Sequence, residues 1–531
     1  MTTAEEHVPV LIVGGGYAGL ASALFLSHHG VRPVLVDRHP AVSIQGRARG
    51  INPRTMEIYR PLGLEPAIKA AGRPFDGESG VVQCQNLAGE WRWIVEQDMP
   101  RALPDLTAGE FGMADQSSVE PILVQAARAN GADIRLSTQC VTLDPDPGGV
   151  TVVTEDHSTG QRRTIRASYL IAADGYRGTV REQLGIARPG HVTRNYVSAV
   201  IEADLSEIVR KRALFWMISG PEGSGGLVST AVPGRWGMAV IYDPGKESPA
   251  DFTAERLTRL AKTLIGKDVP VQILDSASWE EAVGVAEAYR SGRVFLVGDA
   301  AHVWPPAQAL GANSAVQDAH NLAWKLAAVL RYEAAGSLLD SYEAERRPVA
   351  TELAAITVRR QELRFSGRDD KQEAGKEAIS CILGQRYRSA AVIGAEHDTV
   401  IGDTARQRAR PGTRAPHLWL DHAGTRIGVH DLFHDAFVLL TGPAGAPWTQ
   451  AAGQIATRTP IPLRAYRIGP ASAGVQLADA ESNWPARYEL AEDGAVLVRP
   501  DGYVAWRASS PATHPAAALT SALNQILGTP S

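Results

Sequence analysis

The chain has 531 residues, more than one ordinary hydrophobic core organises, so its length predicts two to four domains. Its 44% hydrophobic and 21% charged residues suit a soluble globular protein, and 53 basic against 58 acidic residues leave a net charge of −5. That balance offers no global field to nucleic acid or an anionic membrane surface, and no apolar run reaches the roughly 18–20 residues that cross a bilayer.

The acidic start enters a strand-like run almost at once and shows no secretory signal, so the expected location is the cytoplasm. Val8–Val13 is β-rich and leads into Gly14-Gly15-Gly16-Tyr17-Ala18-Gly19, a G-x-G-x-x-G pattern. Leu20–His29 has the apolar spacing of a helix packed on a sheet, Gly30 closes it, and Pro33–Val36 reads as the next strand, ending at Asp37 beside Arg38. Gly14 permits the tight turn, Gly16 lets backbone approach a pyrophosphate, and Gly19 lets helix and strand pack closely. Asp37 is placed to accept hydrogen bonds from an adenosine ribose. Strand, glycines, helix, strand and acid in register define a dinucleotide site, with FAD and NAD both open. Arg47, Arg49 and Arg54, just past this unit, are placed for phosphate oxygens or for structural ion pairs, and Pro53–Tyr59 begins a helix.

Residues 74–114 and 190–285 have a different texture. Runs such as Tyr196–Ile201 and Trp236–Ile241 alternate with period two and predict a half-buried antiparallel sheet. Laid over a cofactor domain, such a sheet would roof a pocket that Phe215, Trp216, Met217, Trp236 and Met238 could line, though core packing suits any one of them better. Val294–Val297 then ends in Gly298-Asp299-Ala300-Ala301-His302, and a Pro-Pro pair and a Gly/Ala-rich turn lead to a helical pattern from about Ser314. A strand ending in Gly-Asp before a helix start suits an extended, partly anionic ligand: the carboxylate holds hydroxyls while the helix end offers free N–H groups. His302 reads as structural within that loop. Residues 314–363 read as helical with breaks near Gly336 and Pro348, and Glu343, Glu345, Arg346 and Arg347 as a solvated charged face. Residues 364–408 are polar, with Gly367–Lys376 a surface connection, and Arg410 opens a last unit containing the strand Phe437–Thr441 and a hairpin turning at Pro500-Asp501-Gly502. Cys84, Cys140 and Cys381 have neither CxxC nor His spacing and read as buried or inert thiols; no metal site is expected.

GGGYAG at 14–19, AADGYRGTVR at 172–181 and GDAAHVWPP with its Asn-Leu-Ala-Trp-Lys-Leu helix at 298–326 together resemble the p-hydroxybenzoate-hydroxylase-like, single-component FAD aromatic monooxygenases. The likeness spans residues 8–350, and the C-terminal region resembles the thioredoxin-like domain of the longer polyketide and phenol hydroxylases. The resemblance implies an α/β architecture. A Rossmann-like FAD-binding domain of the GR2 type would comprise 1–73, 115–190 and 285–363, and an antiparallel β-sheet substrate domain 74–114 and 191–284. A connection at 364–408 would precede a thioredoxin-like domain at 409–531.

The resemblance places Arg47 near the flavin pyrophosphate, Gln116 near the ribityl chain and Asp299 on the ribityl hydroxyls. It sets the Pro305–Asn313 loop, with Pro306, Gly311, Ala312 and Asn313, beside the isoalloxazine ring. Asp174 matches a residue linked to FAD architecture and nicotinamide binding. Two departures stand out: Gly178 where the family has serine, and Gln308-Ala309 where it has paired glycines. Gln308, like Pro306, is a candidate for facing substrate or tuning the flavin. The implied function is an FAD-dependent monooxygenase reduced by NADPH or NADH. It would hydroxylate a polyaromatic or quinone substrate with O₂ through a flavin C4a-hydroperoxide, in aromatic polyketide tailoring. Two alternatives stay open: a Baeyer–Villiger-type or ring-rearranging oxygenase, and a non-catalytic flavoprotein that sequesters an aromatic ligand. The expected partners are that small molecule and O₂, with neither nucleic acid nor membrane, in a monomer or homodimer.

Overall fold

The computed structural model describes residues 5–45, 48–78, 80–95, 103–209, 212–221, 223–306, 309–365, 370–396, 398–509 and 512–530. The first sheet is built on Glu6–Val13, whose run Val10–Ile12 is fully buried, as a strand covered on both faces must be. It pairs in parallel with Val34–Val36 on one side and Arg162–Ala172 on the other, and Arg162–Ala172 pairs in parallel with Val294–Leu296. The three motif-bearing strand ends thus lie side by side at the carboxyl edge of one sheet. The Tyr17–His28 helix, apolar all round, is clasped between this sheet and the Leu310–Arg331 helix.

The second sheet runs, from edge to edge, His302–Val303, Gln272–Val285, Gly190–Glu202, Arg235–Tyr242, Gly223–Ser229, Phe215–Gly220, Val81–Cys84 and Arg92–Val95. The expectation of an antiparallel sheet needs one correction. Phe215–Ile218 pairs in parallel with Val81–Cys84, because residues 74–114 leave the cofactor domain on a separate excursion and meet the sheet in the same direction. One face of the sheet packs on the amphipathic helix Ala254–Ile265 through Val197, Ala199, Ile201, Trp216, Leu227, Met238 and Val240. The edge strand His302–Val303 directly follows the Gly298–Ala300 turn, so the backbone of the Gly-Asp motif continues into this sheet.

The C-terminal sheet is centred on Phe437–Thr441, which pairs in parallel with Leu463–Gly469 and antiparallel with Ala495–Val498. Ala495–Val498 forms a hairpin with Val504–Ala508, turning at the Pro-Asp-Gly signal. The helices Ala446–Ala456 and Pro515–Leu527 cover one face through Trp448, Ala452, Leu519 and Leu523.

Three readings of the 314–408 region change. Gly336 does interrupt the helix, but Pro348 does not: it lies inside the Asp340–Phe365 helix. Pro348 and Ala344 are both exposed, so the carbonyl that proline leaves unbonded faces water. The 364–408 stretch contains the Lys371–Leu383 helix, whose Cys381, Ile382 and Leu383 join the main core. Glu345 and Arg346 are not a solvated face; both are 1% exposed or less.

Glu345 accepts from Lys325 (2.8 Å), Asn321 (2.7 Å), Ser389 (2.6 Å) and Arg499 (2.6 and 2.9 Å), and Arg499 also pairs with Asp501. Arg346 donates to Asp318 (2.7 Å), Gln385 (2.7 Å) and Tyr387 (3.0 Å). Besides Glu345–Arg499, a second pair crosses to the C-terminal unit: Arg414 donates to Glu57, and Arg54 to Glu57 and the Asp501 carbonyl. The cofactor and C-terminal units are therefore joined through desolvated, paired charges. Removing one member strands the others, so Glu345→Gln is expected to lower unfolding free energy by about 3–5 kcal/mol in urea titrations.

Burial is the largest single effect on the carboxyls of Glu345, Glu57 and Asp318 and alone would raise their pKa. Their partners together (Arg499, Lys325 and Asn321 on Glu345, Arg414, His430 and Arg54 on Glu57, Arg346 and His302 on Asp318) outweigh it and hold all three below their ordinary values. As pH falls through the ordinary carboxyl range near about 4, the unfolded chain takes up protons that the folded chain refuses. Stability from these groups is therefore complete above that range and lost below it. Burial likewise holds His29, His320, His417 and His430 below the ordinary histidine range, so the unfolded chain also takes up protons that the fold refuses as pH drops through about 6.5. The urea midpoint should therefore fall already from about pH 7 to 5 and fall further under about pH 4.5, with the acid part of the fall shallower in Glu345→Gln.

Candidate active site

The Gly14–Gly16 turn links Glu6–Val13 to the Tyr17–His28 helix. Gly14 has φ +108°, and a Cβ there would overlap the Ala173 carbonyl. A Cβ on Gly19 would overlap the Gly14 carbonyl. Gly16 is different: nothing lies within 4 Å of where its Cβ would stand, and as helix N-cap it provides no side-chain hydrogen bond. The turn is thus closed from behind and open in front, with free helix N–H groups facing the opening.

Asp37 sits at the end of the Val34–Val36 strand, where Oδ2 accepts from the Gly15 N–H (2.6 Å) and Oδ1 from the His39 backbone (2.8 Å). It is engaged in shaping the turn, and Arg38 beside it is exposed. Gln116 opens the Gln116–Ala129 helix, its backbone N–H bonded to the Ala48 carbonyl (2.8 Å) and its side chain to Glu120 (2.6 Å). Arg49 is turned toward Asp115 (2.9 Å), Glu78 (3.0 Å) and Ser229, under the edge of the second sheet. Arg54 is buried against Glu57 and the C-terminal unit and is structural, not a phosphate ligand. Arg47 and Gln308 lie outside the described residues.

Asp174 is packed under its own loop. Oδ2 accepts from the Val180 N–H (3.0 Å), Oδ1 is buried without a partner, and burial raises its pKa. Any Cβ at 178 would overlap this carboxylate, which accounts for Gly178 in this chain. The Gly298–Ala300 turn is clasped between the first motif and its own following helix: a Cβ on Gly298 would stand 2.9 Å from both Ala18 and Ala315. Its neighbour Asp299 is exposed at the rim. Beneath the turn, Asp318 accepts from the Gly298 N–H (3.2 Å) and from His302 (2.7 Å) while bound to Arg346. His302 is 1% exposed and stacks on Trp304 at 4.5 Å, so it is structural, as its sequence context suggested.

Pro306 is exposed, and Ala309 N-caps the Leu310–Arg331 helix in a left-handed conformation, φ +51°, without a side-chain cap. That conformation is one a glycine adopts at no steric cost. Asn313 locks the start of this helix onto the 50–52 segment, donating to the Gly50 (2.8 Å) and Ala309 (2.6 Å) carbonyls and accepting from the Asn52 N–H (3.0 Å). Gly311 and Ala312, half-buried, complete the first turn. Two uncapped helix starts and the exposed Asp299 therefore border one cleft. This donor set fits a flavin dinucleotide: free N–H groups and an open Gly16 for pyrophosphate, a carboxylate for polyol hydroxyls, and a second helix start for an electron-rich ring edge.

Strand alternation divides the five aromatic and sulfur residues predicted for the roof. Trp216 (1% exposed), Met238 (2% exposed) and the half-buried Trp236 pack with the Ala254–Ile265 helix, whereas Phe215 and Met217 lie on the opposite face. That opposite face looks toward the cofactor domain, since Asp275 accepts from Gln45 (2.8 Å) and Glu281 from Gln361 (3.3 Å). Between those two contacts lie Ala277 and Trp279. Paired across from them are Ser198 and Tyr196, and beyond these come Ala239, Gly237 and Gly226. Trp279 stacks on Tyr196 at 4.3 Å and 6°, and its indole N–H donates to Ser198 (2.7 Å). On this face the small residues Ser198, Ala277 and Ala239 lie between the Tyr196–Trp279 stack and the Phe215 ring, which covers Gly226, while Val228 covers Gly237. Sequence reasoning missed Tyr196 and Trp279, although Tyr196 lies in the alternating run that predicted the sheet.

Comparisons with known proteins agree with this geometry. An FAD-binding-domain family model matches residues 7–357, and an aromatic-ring hydroxylase C-terminal model matches 408–530. The chain is 40% identical to tetracenomycin A2 monooxygenase-dioxygenase of Streptomyces glaucescens over 99% of its own length and 98% of that protein. It is 38% identical to 4-methyl-5-nitrocatechol 5-monooxygenase of a Burkholderia species, covering 99% and 98%. Among solved structures, aklavinone-11 hydroxylase in complex with FAD and aklavinone superposes with a TM-score of 0.88 at 36% identity, covering 99% and 100% of the two chains. The chain belongs to the FAD-dependent aromatic-ring hydroxylases. It is a flavoprotein monooxygenase, and FAD is its cofactor.

Asp299 is exposed beside the Gly298–Ala300 turn, with its backbone carbonyl accepting from Arg188 (2.8 Å). Asp299→Ala is expected to leave the fold intact while weakening FAD retention about tenfold or more, read from flavin fluorescence on dilution.

Proposed function

We propose that the enzyme hydroxylates a planar, polycyclic aromatic or quinone substrate of the polyketide type in the cytoplasm, with NADPH or NADH as reductant and O₂ as oxygen source. The observation that carries this reading is the roof strip of Ser198, Ala277 and Ala239, small residues flanked by the Tyr196–Trp279 stack on one side and by the Phe215 ring over Gly226 on the other. Fused rings bury apolar area against such a strip and stack on its aromatic side. The relatives named for tetracenomycin A2 and for aklavinone support the same substrate class. Bound FAD, once reduced, supplies the activated oxygen that is transferred to an electron-rich ring carbon.

The chain's own residues provide the setting. The Gly16 and Ala309 helix starts hold anionic and electron-rich parts of the cofactor, Asp299 fixes its polyol, and the roof orients the ring and excludes water. In this reading the first unit is a Rossmann-like domain of the GR2 type. The C-terminal unit is thioredoxin-like, supported by its order Leu463–Gly469, Phe437–Thr441, Ala495–Val498, Val504–Ala508 with helices after the first-formed and last strands. It serves structurally: its hairpin delivers Arg499 and Asp501 to the buried network, and the chain's cysteines are buried and free, their pKa values pushed up by burial to about 11 for Cys84 and about 12 for Cys140 and Cys381.

The test is substrate-triggered NADPH oxidation in air by the FAD-loaded enzyme, with tri- and tetracyclic phenols and a single-ring catechol compared. A product heavier by one oxygen atom, formed with a kcat/KM about tenfold or more higher for the fused-ring substrates, is the expected result. Trp279→Ala should raise KM for fused rings much more than for the catechol. Tight aromatic binding without flavin reduction would instead support ligand sequestration, and the product's ring structure separates hydroxylation from oxygen insertion into the ring.

A further inference from the structure

Ser198 stands in the strand Gly190–Glu202, on the sheet face that looks toward the cofactor domain. Its cross-strand neighbours are Ala277 on one side and Ala239 on the other, and neither carries a polar side-chain atom. Ser198, Ala277 and Ala239 are each half-buried, whereas the intervening Val197, Ala199 and Met238 are closed into the core on the opposite face. The Ser198 hydroxyl is therefore the polar group of the strip, on the side of the sheet that packing leaves open.

The bonding of that hydroxyl is half complete. A serine offers one O–H donor and two acceptor lone pairs. The Trp279 indole N–H takes a lone pair at 2.7 Å, and Trp279 is itself fixed by its stack on Tyr196 at 4.3 Å and 6°. Among the described residues, no acceptor takes the Ser198 O–H. The backbone on either side of it belongs to the ladders with Gln272–Val285 and Arg235–Tyr242, and the two alanines have nothing to offer. Accepting an N–H fixes the serine oxygen and strengthens its O–H as a donor. The strip thus presents one oriented donor with small residues on both sides, flanked by Trp279 and by the Phe215 ring.

We propose that Ser198 orients the substrate, its O–H donating to a carbonyl oxygen on the ring edge of a quinone-type substrate. This deepens the fused-ring reading above and rests on it for the substrate class. Ala239 and Ala277 let that ring edge come within hydrogen-bond reach, while the flanking aromatic groups hold the ring plane. Trp279 is a positioning residue here, acting through Ser198. The site then favours a ring system that carries a carbonyl over a phenol of the same shape that lacks one, because only the carbonyl satisfies the donor.

The test measures binding, not turnover, by isothermal titration of the FAD-loaded full-length enzyme at about pH 6, where phenol probes stay protonated. The fused-ring pair is 2-hydroxyanthraquinone and 2-hydroxyanthracene, and the single-ring pair is 4-hydroxyacetophenone and 4-ethylphenol. Ser198→Ala should weaken 2-hydroxyanthraquinone about fivefold and leave 2-hydroxyanthracene within about twofold of wild type. Ser198→Thr, which keeps the hydroxyl, should restore the quinone. Trp279→Phe, which keeps a ring on Tyr196 but lacks the N–H, should weaken the quinone by a smaller factor than Ser198→Ala. Equal losses for both fused-ring probes would make Ser198 a packing residue and overturn the proposal, as would an unchanged quinone affinity or no binding of any probe. A carbonyl-selective loss in the single-ring pair, with the fused pair bound no more tightly, would support the role of Ser198 and sink the fused-ring reading alone.

Discussion

Two adjacent side chains on one helix, Glu345 and Arg346, hold this molecule together in opposite directions. Arg346 reaches Asp318, which in turn fixes the Gly298 backbone and His302 beneath the cofactor turn. Glu345 reaches Arg499, Lys325 and Asn321, and through Arg499 the hairpin of the C-terminal unit. Desolvating ions is costly unless every charge finds its partner, and such networks tolerate few arrangements. The position of the Gly-Asp turn and the seating of the C-terminal unit are therefore set by one rigid helical segment. Tyr387 and Tyr503, stacked at 3.9 Å, close the space between the two branches.

The cofactor cleft depends on this support because its own elements leave room on purpose. Both bordering helices start without side-chain caps, and Gly16 presents bare backbone to open space. Unsatisfied N–H groups are a liability in an empty protein and an asset once an anionic, hydrogen-bonding cofactor arrives. The continuity of the Gly298–Ala300 turn with the edge strand His302–Val303 ties the cleft to its roof. A shift of that turn would move both walls of the active site together.

The local motifs were legible in the sequence because each is a short-range backbone requirement. The Gly14 turn, the Gly19 close approach, the strand ending at Gly298 and the 500–502 hairpin need only neighbouring residues to be recognised. What escaped was decided by contacts distant in the chain. Glu345 and Arg346, in a stretch as charged as Glu-Ala-Glu-Arg-Arg, look solvated until Arg499 and Asp318 supply partners 154 and 28 residues away. Pro348 reads as a helix breaker, yet the lost bond falls on the wet side. The roof was predicted from the right strands but with the wrong faces for Trp216, Trp236 and Met238. Large apolar residues mark a buried face without saying which of two buried faces it is.

The same ambiguity bears on how the enzyme discriminates among ring systems. Trp216, Trp236 and Met238 went to the structural face, leaving Ser198, Ala239 and Ala277 over the cleft between the Phe215 ring and Tyr196 and Trp279, which are held by a stack and by Ser198. A pocket lined by flexible bulky side chains would adapt to many shapes, whereas a narrow strip of small residues between aromatic edges selects for planarity. Selectivity then rests on the small side chains at Ser198, Ala239 and Ala277 as much as on the presence of Trp279. Filling one of those positions is a more direct route to a narrower substrate range than changing any polar group at the cofactor.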